Sequence, residues 1–480
     1  MHPFEQHLSE PVGRGPVPDG AHVGSAGGAP CGDLVRIALV IRDGRVADAT
    51  FDADGCGAAL AAGSACVALT RGRRMLETAC VGAREIAAAL GDLSPGKFHA
   101  ADLAAERAVE RIGAAASEPA GSLSPRHPGR VLVAISGGVD SAVAALLCAR
   151  SGADVVAVTL KLWADQENDG ERSCCSPQAV LGARALAHRM GLPHLTLDVE
   201  DDFRAAVVSP FVAEHDAGRT PNPCVRCNGE VRFDAMLALT DRIGAEALAT
   251  GHYARIEHDG EGPLLARAAD PAKDQTYMLS ALEPAALKRV RFPLGDLTKP
   301  QVREIARAAG LPVAEKRESQ DLCFLAGTSR ERFLTRHGGR RDQPGEVVDV
   351  RGRVLGRHGG HRRYTVGQRR GLGVAAGEPL FVLSTDAAAN RVVVGPRDAL
   401  AADTVVLRDV MLSRDGRRVD SVKLRYRSNP LRCRIAASRG HHPRLEASLD
   451  ERALGVAPGQ TACLMDGDLV VGHGTIAASA

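Results

Sequence analysis

No stretch of this 480-residue chain approaches the run of about 18 to 20 apolar residues that a membrane-spanning helix needs. The opening MHPFEQHLSEPVGRG also lacks the charged-then-apolar order of a secretory signal. The chain therefore reads as cytoplasmic, with no membrane partner. Neither GxxxxGKS/T nor a GxGxxG after a strand is present, which disfavours a P-loop kinase and a dinucleotide dehydrogenase. Aromatic residues make up 3% of the chain, and the one tryptophan, Trp163, reads as packing at a strand end rather than a base-stacking platform. Only one C-x-x-C occurs, Cys224 and Cys227, so a complete structural zinc cage is not expected. Twelve cysteines in a chain of this size read as reduced thiols, ligands or catalysts rather than a disulfide frame. Of these, Cys148, Cys433, Cys463 and the adjacent Cys174-Cys175 read as packing residues.

With 45% hydrophobic residues, the length suits about three domains, each with its own core. The net charge of +2 hides an asymmetry: residues 326–480 hold 26 Lys+Arg against 16 Asp+Glu, a surplus of 10, so the rest carries −8. A basic C-terminal third suits a polyanion such as nucleic acid. The organising stretch is RVLVAISGGVDS, Arg130 to Ser141. Val131 to Ile135 reads as a buried strand, Ser136-Gly137-Gly138 as a turn, and Asp140-Ser141 as a helix start, with DVVAVTL from Asp154 as the next strand. Glycines let backbone N–H groups approach an anion and the helix start adds favourable charge, so a pyrophosphate is the expected guest. SGGVDS resembles the pyrophosphate loop of the ATP-splitting adenylating enzymes.

Residues 1–27 are rich in glycine and proline and read as disordered. Strands Leu34 to Ile41 and Arg45 to Phe51, turned at Asp43-Gly44, then precede helical segments near Cys56 to Leu69, Thr78 to Leu90 and Leu103 to Ile112. APCGD, GCGAALAAGSA and GKFHAADLAAERAV make residues 28–117 resemble the NifU/IscU-like iron-sulfur cluster scaffold family. The resemblance assigns its cluster-handling site to Cys31, Asp33, Cys56 and His99, and the expected third cysteine is replaced by Ala100. Cys66 and Cys80, on helices, read as small buried hydrophobes. The stretch 118–129 reads as a Pro/Ser/Gly linker.

From Arg130 to residue 327 strands and helices alternate, arguing for an α/β doubly wound parallel sheet with its ligand crevice at the carboxyl ends of the strands. A small central domain, 328–390, and an antiparallel β-barrel, 391–480, follow. GRTPNPxxxCN, ATGHYAR, KDQTYML, FPLG, SQDLCFL and YTVGQRRGLG occur in order after SGGVDS. Together they resemble the bacterial tRNA-specific 2-thiouridylase family, MnmA-type PP-loop ATPases, from about Arg130 to Ile476. The resemblance implies ATP binding by Ala134, Ile135, Ser136, Gly137, Gly138, Val139, Asp140, Ser141, Leu160 and Gly251. It implies tRNA contacts at Asn222, Pro223, Cys224, His252, Lys273, Asp274, Gln275, Arg425, Tyr426 and Gln460. Cys227 and Cys323 match the two catalytic cysteines, with Cys323 bearing the persulfide.

Where the family commonly has aspartate, this chain has Cys224. Cys224, Cys227 and Cys323 are then three thiols, enough for a 4Fe–4S cluster with one open iron, as in the cluster-dependent tRNA thiolases. The implied reaction is ATP- and Mg²⁺-dependent replacement of the C2 oxygen of the wobble uridine in the tRNA anticodon loop by sulfur. Its donor is a cysteine desulfurase or sulfur relay protein, and sulfur arrives as a persulfide or through the cluster. The active thiolates need a lowered pKa, for which a helix end or His252 is the expected cause. Two rivals remain. Another PP-loop adenylating enzyme would need neither Cys227 nor Cys323, and an iron-sulfur carrier would transfer clusters without tRNA, against which Ala100 argues.

Overall fold

The computed structural model describes the chain except residues 28–31, 118–124, 164–175, 317–321, 339–341, 375 and 480. Cys31, Cys174, Cys175 and most of the expected linker lie outside the described residues.

The N-terminal unit runs α1 (Pro3–Ser9), β1 (His22–Gly27), β2 (Leu34–Arg42), β3 (Arg45–Asp54), α2 (Gly57–Thr70), α3 (Met75–Thr78), α4 (Ala83–Ala89) and α5 (Phe98–Ser117). The β2–β3 turn places Asp43 at φ 51° and Gly44 at φ 70°, the double positive φ that makes Asp-Gly a hairpin signal. Residues 1–27 are ordered, contrary to the composition-based expectation. β1 pairs antiparallel with β2, and α1 packs on α2 through the His7 Nδ1–Ser64 Oγ hydrogen bond of 2.8 Å. Pairing and burial against an alanine-rich helix outweigh the entropy that glycine and proline content suggests. Helix α2 is apolar all round because it is enclosed, with Ala59, Ala61, Ala62 and Ala65 fully buried.

The second unit runs β4 (Arg130–Ala134), α6 (Val139–Arg150), β5 (Asp154–Lys161), α7 (Pro177–Arg189), β6 (His194–Asp198), α8 (Glu200–Phe203), α9 (Ser209–Asp216), α10 (Pro223–Cys227), α11 (Phe233–Arg242) and β7 (Ala247–Ala249). It continues through β8 (Arg255–His258), β9 (Pro263–Ala266), α12 (Thr276–Leu279), α13 (Pro284–Leu287), β10 (Val290–Arg291) and α14 (Lys299–Ala308). The sheet is parallel in the order β10-β7-β4-β5-β6. Its strands are continuous apolar runs, Val131 to Val133 and Val155 to Val158 being buried, as a sheet covered on both faces requires.

The N-terminal unit sits against this sheet. Helix α5 packs on the edge strand β6, where a Cβ added to Gly113 would run into the Thr196 carbonyl oxygen. Ala79 O accepts from the His194 backbone N at 3.2 Å and faces His188 Nε2 at 3.0 Å, and Arg242 donates to Ala115 O at 2.9 Å.

After α15 (Arg330–His337), the strands β11 (Gly345–Val348), β12 (Val354–His358), β13 (Phe381–Asp386) and β14 (Arg391–Gly395) form one sheet in the order β12-β11-β14-β13. RVVVG, expected to open the barrel, is therefore an inner strand of the central domain. Val392 and Val394 are fully buried beside Val347 and Val382, so alternation alone did not say which sheet this strand would join. The barrel itself has β15 (Ala401–Leu412), β16 (Ser421–Lys423), β17 (Leu431–Arg434), β18 (Gly440–Leu454), β19 (Thr461–Asp466) and β20 (Leu469–Ser479). Six antiparallel strands, β15-β18-β17-β16-β19-β20, close through β15–β20, and the β8–β9 hairpin of the catalytic unit adds to β20.

That graft is held by charge. Arg414, 1% exposed, binds both oxygens of Asp259 at 2.9 and 3.0 Å, and Arg418 bridges Asp259 to Asp466. These guanidinium bonds hold the Asp259 carboxyl well below the usual carboxylate range. Arg414→Met is expected to destabilise the barrel by about 3 to 5 kcal/mol, since it leaves a bonded carboxylate without its buried partner. Chemical denaturation followed by barrel-specific hydrogen exchange measures it.

Candidate active site

Strand β4 ends at Ala134 and α6 begins at Val139, leaving Ser136-Gly137-Gly138 as the turn that the sequence predicts. Gly137 is at φ 71°, a conformation glycine adopts without a Cβ penalty. Ser141 Oγ, at the helix start, accepts from the Ser136 backbone N at 3.1 Å and closes the loop on itself. Beside the loop lies a cavity of about 230 Å³. Its lining includes Ala134, Ile135, Ser136, Asp140, Ser141, Leu160 and Gly251, all expected for ATP, together with His252 and Gln275, expected for tRNA. Gly137, Gly138 and Val139 belong to the same turn, and Val139 is buried beneath it. A Cβ on Gly251 would lie 2.7 Å from Ser141 N, so only glycine lets the β7 loop approach this closely.

Sequence reasoning missed several residues here. Thr159, Thr250, Arg232 and Met236 also line the cavity. Thr159 Oγ1 donates to Ile135 O at 2.7 Å and lies 2.9 Å from His194 Nε2. Asp140 is held by Lys299 Nζ, at 2.7 and 2.8 Å from its two carboxylate oxygens, and by the Tyr253 hydroxyl at 2.8 Å. The spacing of Asp140 and Lys299 gives no local signal for that pair.

His252 does not serve as the cation expected beside the thiols. Burial, then the Arg232 guanidinium, push it down to about 3, so at neutral pH it is an uncharged imidazole with Nδ1 2.8 Å from Thr250 Oγ1. It can orient a neighbour by hydrogen bonding, but it cannot stabilise a thiolate by charge.

Two of the thiols sit on α10, after the loop that leaves α9. Asn222 caps α10, accepting from Cys224 N at 3.1 Å and Val225 N at 3.3 Å, with Pro223 at the first helical position. Cys224 is half-buried one turn before Cys227, which is 5% exposed. A π-helical turn, Asn228–Arg232, then carries the chain into α11. Cys323 opens a short 3-10 turn, and the following Phe324 anchors it on Phe203, Phe211 and Phe333. Cys323 packs at the edge of the extended core that also buries Cys227. Trp163 joins this cluster at 5% exposure, as a packing residue.

The other expected tRNA residues divide. Gln460 donates to Thr220 O at 2.8 Å, docking the barrel on the loop that leads to Asn222, and Arg425 donates to Gly455 O within the barrel unit. Tyr426 faces Tyr277 at a ring separation of 6.3 Å. Asp274 departs from the expectation. It is 5% exposed, takes hydrogen bonds from Thr276 and Ala268 N, and sits 3.8 Å from Lys423, so it pins the loop rather than meeting solvent. Lys273, its neighbour, is half-buried, and Gln275 Oε1 accepts from Tyr253 N at 2.9 Å.

In the N-terminal unit, Asp33, Cys56 and His99 bring an oxygen, a sulfur and a nitrogen within 4.8 Å of one another. Asp33, 1% exposed, accepts from Cys56 N at 2.8 Å and Cys56 Sγ at 3.1 Å, and lies 2.9 Å from His99 Nε2. This mixed donor set fits a single borderline ion. Ala100 is fully buried on α5, so the third thiolate of a cluster scaffold has no substitute at that position. Cys66 is buried and pushed up to about 12, an inert thiol. Cys80 is raised by burial and then by Glu85 and Glu77, while Cys433 and Cys463 are pushed up to about 12 chiefly by burial.

Four domain families match the chain: the NifU-like N terminal domain over 4–117, the tRNA methyl transferase HUP domain over 129–327, the tRNA methyl transferase PRC-barrel domain over 331–396 and the Aminomethyltransferase beta-barrel domain over 412–476. The chain is similar to the "Bifunctional protein NifU/MnmA" of Rubrobacter xylanophilus, with 45% identity over 98% of this chain and 97% of that protein. It is also similar to "tRNA-specific 2-thiouridylase MnmA" of Geobacter metallireducens, at 43% identity over 73% of this chain and 97% of that protein. The protein of the same name from Acidithiobacillus ferrooxidans is 43% identical over 72% of this chain and 98% of its own length.

Proposed function

The chain belongs to the family of bifunctional NifU/MnmA proteins, and from that premise we propose that it is a tRNA-uridine 2-sulfurtransferase acting on the wobble uridine. The observation that carries the reading is the placement of Ser136, Asp140, Ser141 and Gly251 around one cavity, in a chain that also carries Cys227 on α10 and Cys323 on its own 3-10 turn. ATP lies against the loop, whose turn offers backbone N–H groups to the phosphates. The flipped uridine enters from the Asn222 side, and its C2 oxygen attacks the α-phosphate, releasing pyrophosphate and leaving an O-adenylated base. Mg²⁺ arriving with the triphosphate would offset charge on the departing phosphates; Asp140, whose two oxygens Lys299 engages, borders the cavity.

The terminal sulfur of a Cys323 persulfide then attacks C2 and AMP departs. The Cys227 thiolate attacks Cys323 Sγ and breaks the S–S bond, which leaves sulfur on the base and a Cys227–Cys323 disulfide for an external thiol to reduce. The persulfide is loaded by a cysteine desulfurase or a relay protein. The basic central and barrel domains dock the tRNA by shape and charge, leaving the anticodon loop to be read at the crevice. The test is 2-thiouridine in tRNA digests by mass spectrometry. The account expects it to require ATP, with AMP and pyrophosphate formed in equal amounts; ATP-independent product, or none, would refute it.

A second reading has one observation in its favour: Cys224 stands one turn from Cys227 on α10, adding a thiol to the two that the family uses. These residues would hold a 4Fe–4S cluster, whose open iron supplies bound sulfide. Anaerobically purified full-length protein should then contain about four irons per chain, lost in Cys224→Asp and retained in His99→Ala. Absence of iron from wild type would leave the persulfide route.

A further inference from the structure

The motif FPLG and the lysine that follows it have no role in the reaction as described, yet they sit directly behind the nucleotide loop. Phe292 stands edge-on to His252, and a Cβ on Gly295 would run into Ala254 O, so this turn is fitted to the GHYAR loop. Four residues later Lys299 opens α14, its backbone N held by Asp270 Oδ2 at 2.9 Å. Its side chain, 9% exposed, reaches the loop carboxylate Asp140 with 2.7 and 2.8 Å contacts to both oxygens. Tyr253, from the loop that also supplies Gly251 and His252, adds its hydroxyl to Asp140 Oδ1 at 2.8 Å. Lys316, from the far end of the same segment, donates to Gly137 O at 2.9 Å.

A buried ammonium is costly without a partner, so a lysine at this depth must be matched in charge and geometry. Here the matching carboxylate also lines the nucleotide cavity. An unneutralised carboxylate there would oppose a triphosphate, whereas one paired with Lys299 presents no net charge to it. We propose that Lys299 is a positioning residue for adenylation: with Tyr253 it fixes Asp140 at the edge of the cavity and cancels its charge toward the phosphates. The proposal rests on the thiolase reading above.

The experiment measures tRNA-dependent pyrophosphate release without a sulfur donor, for the full-length wild type, Lys299→Met, Lys299→Arg and Tyr253→Phe. Wild type is expected to release pyrophosphate; if it does not, the thiolase reading fails before Lys299 is at issue. For Lys299→Met the expected result is kcat lowered about 100-fold with KM for ATP changed less than about threefold, as loss of preorganised charge predicts. Lys299→Arg should recover at least about a tenth of wild-type kcat, and Tyr253→Phe should lose about three- to tenfold. Wild-type kcat in Lys299→Met, or losses in all three variants that track only the fraction of folded protein seen by circular dichroism, would overturn the role.

Discussion

Cys323→Ser is expected to release pyrophosphate at the wild-type rate in the presence of tRNA and to form no 2-thiouridine, a loss of at least about a thousandfold, because serine cannot carry a transferable sulfur. The two half-reactions separate because adenylation uses the cavity at Ser136, Asp140 and Gly251, whereas Cys323 sits on its own 3-10 turn anchored by Phe324. Hydroxyl for thiol is a small change in volume at a half-buried position, so the turn should keep its place. Cys227→Ser should fail one step later. With no thiolate to break the S–S bond, the Cys323–S–S–C2 adduct persists and appears on a denaturing gel as a protein–RNA band released by dithiothreitol. If both variants lost pyrophosphate release along with thiolation, the cysteines would be serving the nucleotide site, and the assignment of roles would be wrong.

Gly113→Val should unseat the N-terminal unit from the catalytic sheet. The added Cβ meets the Thr196 carbonyl, main chain on edge strand β6 that cannot turn aside. Helix propensity works the other way, since valine is a better helix former than glycine by a few tenths of a kcal/mol, so a loss of stability reports the clash. Gly182, within α7, has open space around its missing Cβ, and Gly182→Ala is expected to stabilise by about 0.5 to 1 kcal/mol. In Gly113→Val the amides of β6 and α5 should exchange with solvent at least about tenfold faster than in wild type, as for a region losing its cover. Unchanged exchange in both elements would mean that α5 is not seated on β6 as described. The interface is more than one contact. Burial, the larger effect, raises the Glu106 and Asp102 carboxyls of α5, while Arg184 on α7, itself buried, draws both down by its charge.

What the sequence made legible was what is local. SGGVDS reads as strand, turn and helix because every residue needed lies within twelve positions, and the hairpin at Asp43-Gly44 follows from two residues that tolerate positive φ. The motif order placed Gly251 beside the loop, and the missing Cβ explains why. What stayed hidden depends on distant partners. β1 becomes a strand only by pairing with β2, and β14 joins the central sheet because β11 lies beside it. The β8–β9 hairpin belongs to the catalytic unit in sequence and to the barrel in hydrogen bonding. Asp274 carries a charge that suggests solvent, yet its bonds to Thr276 and Ala268 N turn it inward. His252 could be found from its motif, but its neutrality follows from burial and from Arg232, neither visible in the motif itself.

The central claim is that the uridine C2 oxygen attacks the α-phosphate. It is tested most directly with tRNA carrying ¹⁸O at C2 of the wobble uridine, incubated with full-length protein, ATP and a sulfur donor, followed by mass spectrometry of the AMP. The account predicts one ¹⁸O in each AMP, matched to each 2-thiouridine formed. Unlabelled AMP alongside thiolated tRNA would contradict it, because ATP would then be split without the base ever being adenylated.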